Sequence, residues 1–188
     1  MIVSRNFILI SVLFFSVLSN ASIKLGDLKT AGNGCFGPTQ IVTVNAEENR
    51  IAFPVRVRVN KKAETSFDRK TCNLRLPLKL GPNQKVQLLN LSQVVRVVAY
   101  KGAEVKTNLS FSFVGKSSQP VTYEMKSTED DTSSVEIMKA DGVLAESDCG
   151  RDAILTGNLS GLINGNGTQA FLSTGAALIT LKVVNCNQ

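Results

Sequence analysis

Cys72-Asn-Leu-Arg-Leu-Pro-Leu-Lys-Leu80 sets Leu74, Leu76, Leu78 and Leu80 on one side of an extended chain and Asn73, Arg75, Pro77 and Lys79 on the other. A period of two is what a half-buried β-strand requires, because successive side chains point to opposite faces of the sheet. Pro77 has no N–H to give to a ladder, which predicts an edge strand or a bulge at that point.

The same alternation runs outward from this stretch. Arg56-Val-Arg-Val59 closes a segment at 50–60, and Leu109, Phe111 and Phe113 alternate with Asn108, Ser110 and Ser112 in a segment at 103–114. Further strands are predicted at 39–45, 119–127, 135–138, 153–163 and 168–185. Residues 85–100 read as two strands or one bent strand, interrupted near 90–93. Turns fall at 46–49, Gly81-Pro-Asn83 and Lys101-Gly102, and loops at 61–70, 129–134 and 140–151. Asn164-Gly-Asn-Gly167 predicts a short hairpin, because Asn and Gly adopt positive φ cheaply. No segment carries a sustained 3.6-residue apolar stripe. The expected fold is an all-β antiparallel sandwich, jelly-roll-like, in a single domain over residues 22–188.

The N-terminus reads as an export signal over residues 1–21. Arg5 precedes an apolar run from Phe7 to Leu18, and small residues at Ser19 and Ala21 place cleavage after Ala21. A dozen apolar residues fall short of the roughly 20 that span a bilayer, so no membrane span is expected. An exported chain with an even cysteine number is read as disulfide-stapled. Cys35, Cys72, Cys149 and Cys186 allow three pairings, and sequence alone does not choose among them. Equal separations of 37 residues favour Cys35–Cys72 with Cys149–Cys186. The absence of closely spaced cysteines argues against a redox or metal site.

Composition removes whole classes of chemistry. Without histidine there is no Ser-His-Asp or Cys-His catalysis and no His-ligated metal site. Without tryptophan, and with Tyr100 and Tyr123 as the only tyrosines, a flat aromatic platform for sugars is scarcely available. Charge is unevenly spread. Residues 50–106 hold 13 Lys/Arg against 3 Asp/Glu, whereas residues 124–152 hold 9 acids against 3 bases. If 50–60 and 71–80 pair, Arg56, Arg58, Arg75 and Lys79 share one solvent face suited to the phosphates or carboxylates of an anionic polymer. The plainer reading is that exposed strands carry charge to stay soluble and unaggregated. Nucleic acid is not expected as a partner, since aromatic residues are not interleaved with the bases.

Two acidic readings carry less weight. Glu129-Asp-Asp131 with Asp141, Asp148 and Asp152 resembles a calcium cluster only in composition, because no calcium-loop pattern is present. Glu64 and Asp68 are imaginable as the carboxylates of a glycosidase, but proximity in a charged loop favours local ion pairs. Asn90, Asn108, Asn158 and Asn166 each begin an Asn-x-Ser/Thr acceptor, and their use is left open.

Taken together, Gly34-Cys35, Phe53, Phe67, Arg69-Lys-Thr-Cys72-Asn-Leu74, Pro82, Tyr100-Lys-Gly102, Cys149-Gly150, Asn158-Leu-Ser160 and Asn164-Gly-Asn-Gly167 form a spaced series. In that series the chain resembles a family of secreted bacterial and fungal proteins known as domain of unknown function number 4360. The chain departs from it in lacking a tryptophan before the Cys-Gly pair and in a thin tyrosine content. The resemblance implies secretion and paired cysteines, and it implies no activity, catalytic residue or cofactor. The expectation is therefore a monomeric, secreted or cell-envelope, non-enzymatic protein that needs no cofactor. It binds an anionic polysaccharide or another surface protein. The alternatives are a carboxylate-dependent, calcium-assisted hydrolase and a structural coat or matrix component.

Overall fold

A computed structural model describes residues 23–45, 48–117 and 119–186, so the signal read at 1–21 lies outside the described residues. The strands are β1 (Lys24–Leu25), β2 (Lys29–Ala31), β3 (Val42–Asn45), β4 (Arg50–Phe53), β5 (Arg58–Lys61), β6 (Phe67–Lys79) and β7 (Gln84–Ala99). They continue with β8 (Glu104–Phe113), β9 (Val121–Lys126), β10 (Asp131–Lys139), β11 (Ala145–Glu146), β12 (Ala153–Asn164) and β13 (Ala170–Asn185). Sheet 1 runs β1–β6–β12–β8–β9, with β2 also on β6. Sheet 2 runs β10–β7–β13–β4–β3, with β11 on β7 and β5 on β13. All pairings are antiparallel.

Across the core β5 faces β6, β13 faces β12, β7 faces β8 and β10 faces β9. Each facing pair is consecutive in the chain, which is the jelly-roll order. The hairpin expected at Asn164–Gly167 is therefore an arch between sheets. β12 pairs with β6 and β8, whereas β13 pairs with β7, β4 and β5. Positive φ at Gly165 and Gly167 serves an arch as well as it serves a hairpin. Two expected loops are shortened by strand: β6 begins at Phe67, and β10 at Asp131. Residues 84–99 form one strand bent at Leu89, where the register with β13 slips by one residue.

Leu74, Leu76 and Leu78 face the core with Val86, Leu88, Leu109, Phe111, Leu155, Leu159, Leu172 and Ile179. Over β12, which has no side chain at Gly157 or Gly161, core side chains rest directly on the backbone. A Cβ on Gly157 would meet the Phe111 ring at 2.6 Å, and that ring lies 5.1 Å from the Phe53 ring of sheet 2. A Cβ on Gly161 would meet Leu172 at 2.7 Å and Val59 at 2.8 Å, both fully buried. Lys61 is also buried, and its Nζ donates to the carbonyl oxygens of Thr168 (2.6 Å) and Lys62 (3.2 Å), tying β5 to the β12–β13 arch.

β6 is the outermost long strand of sheet 1, as Pro77 predicts. Gly26 N donates to Pro77 O at 2.8 Å, so the proline nitrogen also faces the N-terminal lead, at the break between β1 and β2. The lead then leaves sheet 1: Gly34 N donates to Thr71 O, and Phe36 exchanges backbone hydrogen bonds of 2.9 and 2.7 Å with Arg56, between β4 and β5. Cys35–Cys72 fixes this crossing, and Cys149–Cys186 fixes the loop after β11 to the end of β13. The pairing favoured from equal spacing is the one formed, and each 37-residue loop is worth about 4 kcal/mol in the chain-entropy model.

Gly161→Ala and Gly157→Ala should each lower stability by about 1–3 kcal/mol, because a methyl group has no space to enter. Urea unfolding followed by fluorescence or circular dichroism checks this, and unchanged midpoints would mean that the sheets can part over β12.

Candidate functional site

Antiparallel register decides which outward side chains are neighbours, since directly opposed residues share a face. On sheet 2, Val98, Phe171 and Asn60 form one row, and Arg96, Ser173 and Arg58 form the next. Tyr100 adjoins Gln169 beyond them, through a backbone hydrogen bond of 3.3 Å. This is an unusual outward face. Phe171 and Val98 are 37% and 38% exposed and Tyr100 46%, so an apolar strip lies open beside the arginine row. Past Tyr100 the strip meets a shallow cavity of about 480 Å³ lined by Ala63, Tyr100, Lys101, Asp130, Thr168 and Gln169.

A bulge shapes the floor. Gly175 and Ala176 of β13 together oppose Val94, and buried Gln93 donates through Nε2 to Gly175 O at 3.1 Å. Thr174, also buried, accepts from Val57 N at 2.9 Å and so closes the gap that Pro54 opens between β4 and β5. Only Ser173 stands between Arg96 and Arg58, whose strands are two spacings, about 9–10 Å, apart. The Arg58 guanidinium lies 4.0 Å from the centre of the Phe36 ring, a cation–π contact that holds it above the sheet. Arg56 flanks the same edge through its bridge to Phe36. Among the described residues every ion pair takes its cation from lysine, which leaves Arg56, Arg58 and Arg96 without a carboxylate partner. Glu136 shares the face, opposite Val94, and makes no ion pair.

The four expected cations are thus divided. Arg58 lies on sheet 2 and Arg56 just before it, between β4 and β5, while Arg75 and Lys79 lie on the outer face of sheet 1. Residues 50–60 and 71–80 do not pair, because β5 and β6 face each other across the core. Alternation reveals which side of a strand is polar and leaves open which strand lies beside it. Arg75 instead opposes Lys29, and Lys79 opposes Lys24. Arg96 and Phe171 were missed as site residues. Their signal was present, since Val94, Val98 and Tyr100 put apolar groups on the outward face of a strand whose inward face is also apolar. The scarcity of tyrosine and tryptophan hid a strip that phenylalanine and valine supply.

The acidic groups do not converge. Asp130 accepts from Lys101 N at 3.2 Å, Asp152 from Leu80 N at 3.2 Å, and Asp148 pairs with Lys116 at 2.7 Å. Glu64 pairs with Lys62 at 3.9 Å and Asp68 with Lys70 at 3.3 Å. Among the described residues no three His, Cys, Asp or Glu side chains are placed to hold a metal ion. No helix among them is long and apolar enough to cross a membrane. Of the Asn-x-Ser/Thr asparagines named above, Asn166 is exposed at an arch tip. Asn108 and Asn158 are half-buried, accepting from Thr122 Oγ1 (2.8 Å) and donating to Asn73 Oδ1 (2.7 Å) respectively. The Oδ1 of Asn90 is buried without a partner.

Two exposed carboxyls are held below their ordinary range. Lys85, then Gln87, hydrogen-bond Glu146, and Lys116 hydrogen-bonds Asp148 and attracts it by charge. A lowered folded pKa adds stability that is present above the unfolded carboxylate range and is lost as pH falls through the folded value. Glu146→Gln with Asp148→Asn should therefore flatten the acid limb of the stability profile, in low salt more than in high. Thermal melts between neutral pH and about pH 3 read this, and an unaltered limb would remove these carboxyls from the acid response.

No family model matches the chain, and no curated protein sequence matches it. Solved structures with a related outline include TmCBM61 in complex with β-1,4-galactotriose, at 10% identity and a TM-score of 0.29, covering 84% of this chain and 88% of that one. A family 11 carbohydrate-binding module from Clostridium thermocellum, in complex with a β-1,3-1,4-mixed-linked tetrasaccharide, matches at 12% identity and 0.27, covering 88% and 92%. A second module of carbohydrate-binding family 16 matches at 12% and 0.25, covering 72% and 85%. Likeness this slight carries no argument about ligand or activity.

Proposed function

We propose that this is an exported, non-enzymatic protein whose sheet 2 face binds a carboxylate-bearing polysaccharide. The observation that carries the reading is the open strip of Phe171, Val98 and Tyr100 beside Arg58 and Arg96, neither of which is spent on an internal carboxylate. Planar guanidinium forks suit planar carboxylates. The apolar strip suits the C–H face of a sugar ring, which a bare phosphate backbone does not offer. Asn60, Ser173 and Gln169 stand beside the strip to exchange hydrogen bonds with hydroxyls. The two disulfides are compatible with an oxidising, extracellular setting. The absence of histidine, and carboxylates that pair locally, support binding over hydrolysis.

Trigalacturonate is the test ligand, measured by calorimetry against the neutral trisaccharide of galactose. Arg58→Ser and Arg96→Ser should each weaken its binding by about tenfold or more, the scale of one charge-assisted hydrogen bond. Phe171→Ser should weaken both sugars. The melting temperature should hardly move, since these are surface positions. Equal affinity in wild type and the arginine variants would refute the assignment.

A further inference from the structure

Sheet 1 treats charge differently at its two edges. Between β8 and β9, Glu104 opposes Lys126 and Lys106 opposes Glu124, and both are ion pairs. At the other edge Lys24 opposes Lys79 and Lys29 opposes Arg75. Like charges opposed across a ladder destabilise it, with Cβ atoms only about 5 Å apart. All four are exposed, and none is in an ion pair among the described residues. Asp27, in the turn between β1 and β2, makes no ion pair, and Asp152 is engaged with Leu80 N. Protection of a bare edge accounts for single lysines on the last strand. It does not account for opposed pairs, half of whose members sit on the covered strand β6.

We infer that Lys24, Lys29, Arg75 and Lys79 form a second contact for the same polysaccharide, reached round the edge that Cys35–Cys72 closes. This rests on the reading of the sheet 2 face given above. A long uronate chain is then gripped on both sheets, and a short one on sheet 2 alone. The lead between the two patches carries only small side chains. It runs through Ala31-Gly-Asn-Gly34, where the lead lies so close to β6 that a Cβ on Gly32 would meet Thr71 O at 2.2 Å. No bulky side chain rises from this stretch, and the nearby acid Asp68 is neutralised by Lys70. Arg75 and Lys79 are four residues apart, about 13 Å along the strand, so the patch presents two cationic steps to a polymer with repeated carboxylates. The sheets are about 10 Å apart, and a trisaccharide seated on one face does not reach the other patch. Once a polymer is held on sheet 2, its second contact is intramolecular and gains from a high effective concentration.

The test compares Lys24→Ser/Lys29→Ser/Arg75→Ser/Lys79→Ser with wild type and with Arg58→Ser/Arg96→Ser, using trigalacturonate and polygalacturonate as ligands across a salt series. In the fourfold variant trigalacturonate affinity should be unchanged. Polygalacturonate affinity should fall on the order of a hundredfold, and its salt dependence should become shallower. The melting temperature should be equal or higher, because two like-charge pairs are gone. Should that variant fail to fold, Lys24→Ser/Lys29→Ser confines the change to the short lead strands and should give part of the loss. Polymer affinity indifferent to these substitutions overturns the second contact and leaves the sheet 2 face standing. Trisaccharide binding indifferent to Arg58 and Arg96 overturns both.

Discussion

The seating of core side chains directly on the backbone of β12 is the constraint from which the rest follows. Gly157 and Gly161 leave hollows on the core face of a central strand, which Phe111, backed by Phe53, fills at Gly157 and Leu172 with Val59 at Gly161. Interiors pack to crystal density, so these contacts set both the separation of the sheets and their lateral registration. With the sheets held in that relation, every long strand has one committed apolar face, and the chemistry of the opposite face is free to differ. Sheet 1 uses that freedom for serine, threonine and asparagine along β8 and β12. Sheet 2 uses it for arginines beside an apolar strip.

The jelly-roll order decides which residues meet on that strip. β5 and β6, β7 and β8, and β12 and β13 face each other, so the lateral neighbours of β13 come from distant parts of the chain. β13 receives Arg58 from β5 on one side and Arg96 from β7 on the other, and contributes Phe171 and Ser173 between them. The Gly175–Ala176 bulge then removes a side chain from the floor beside the arginine row, and Gln93 holds that bulge from below. A buried polar side chain bonded to a bulge carbonyl is a costly way to build a strand interior, and its effect is to shape the outer face.

How much of this could be read beforehand divides along physical lines. Inward and outward assignment is local, because it follows from a period of two, and Leu74 to Leu78 together with Leu109 to Phe113 were legible at once. So was the meaning of Pro77, whose missing donor faces the only interrupted neighbour that β6 has. Lateral neighbours are a tertiary property. Positive φ at Gly165 and Gly167 permits a hairpin and an arch alike, and only the burial of both flanking strands against opposite sheets chooses the arch. The same gap separated Arg56 and Arg58 from Arg75 and Lys79. The aromatic strip was overlooked for a different reason. A phenylalanine in an apolar strand is ordinarily core, and Phe171 lies outward solely because Ala170 and Leu172 take the inward positions.

On the proposed reading, the edge closed by Cys35–Cys72 joins stability to recognition. The disulfide shortens the unfolded ensemble and also pins the residue before Phe36, whose backbone pairs with Arg56 and whose ring lies beneath Arg58. A long arginine side chain ordinarily loses about 2 kcal/mol of rotamer freedom when a ligand immobilises it. Stacked on a ring that is itself fixed by a covalent link, Arg58 gives up part of that freedom on folding instead. In the proposed complex its carboxylate contact would be pre-organised to that extent, and less of the interaction would be lost to ordering. Arg96 has no ring beneath it and keeps its freedom until it is bound. The two arginines across Ser173 are therefore physically unequal, one a fixed anchor and the other an adaptable partner, which suits a polymer whose carboxylates recur at a spacing the protein does not control.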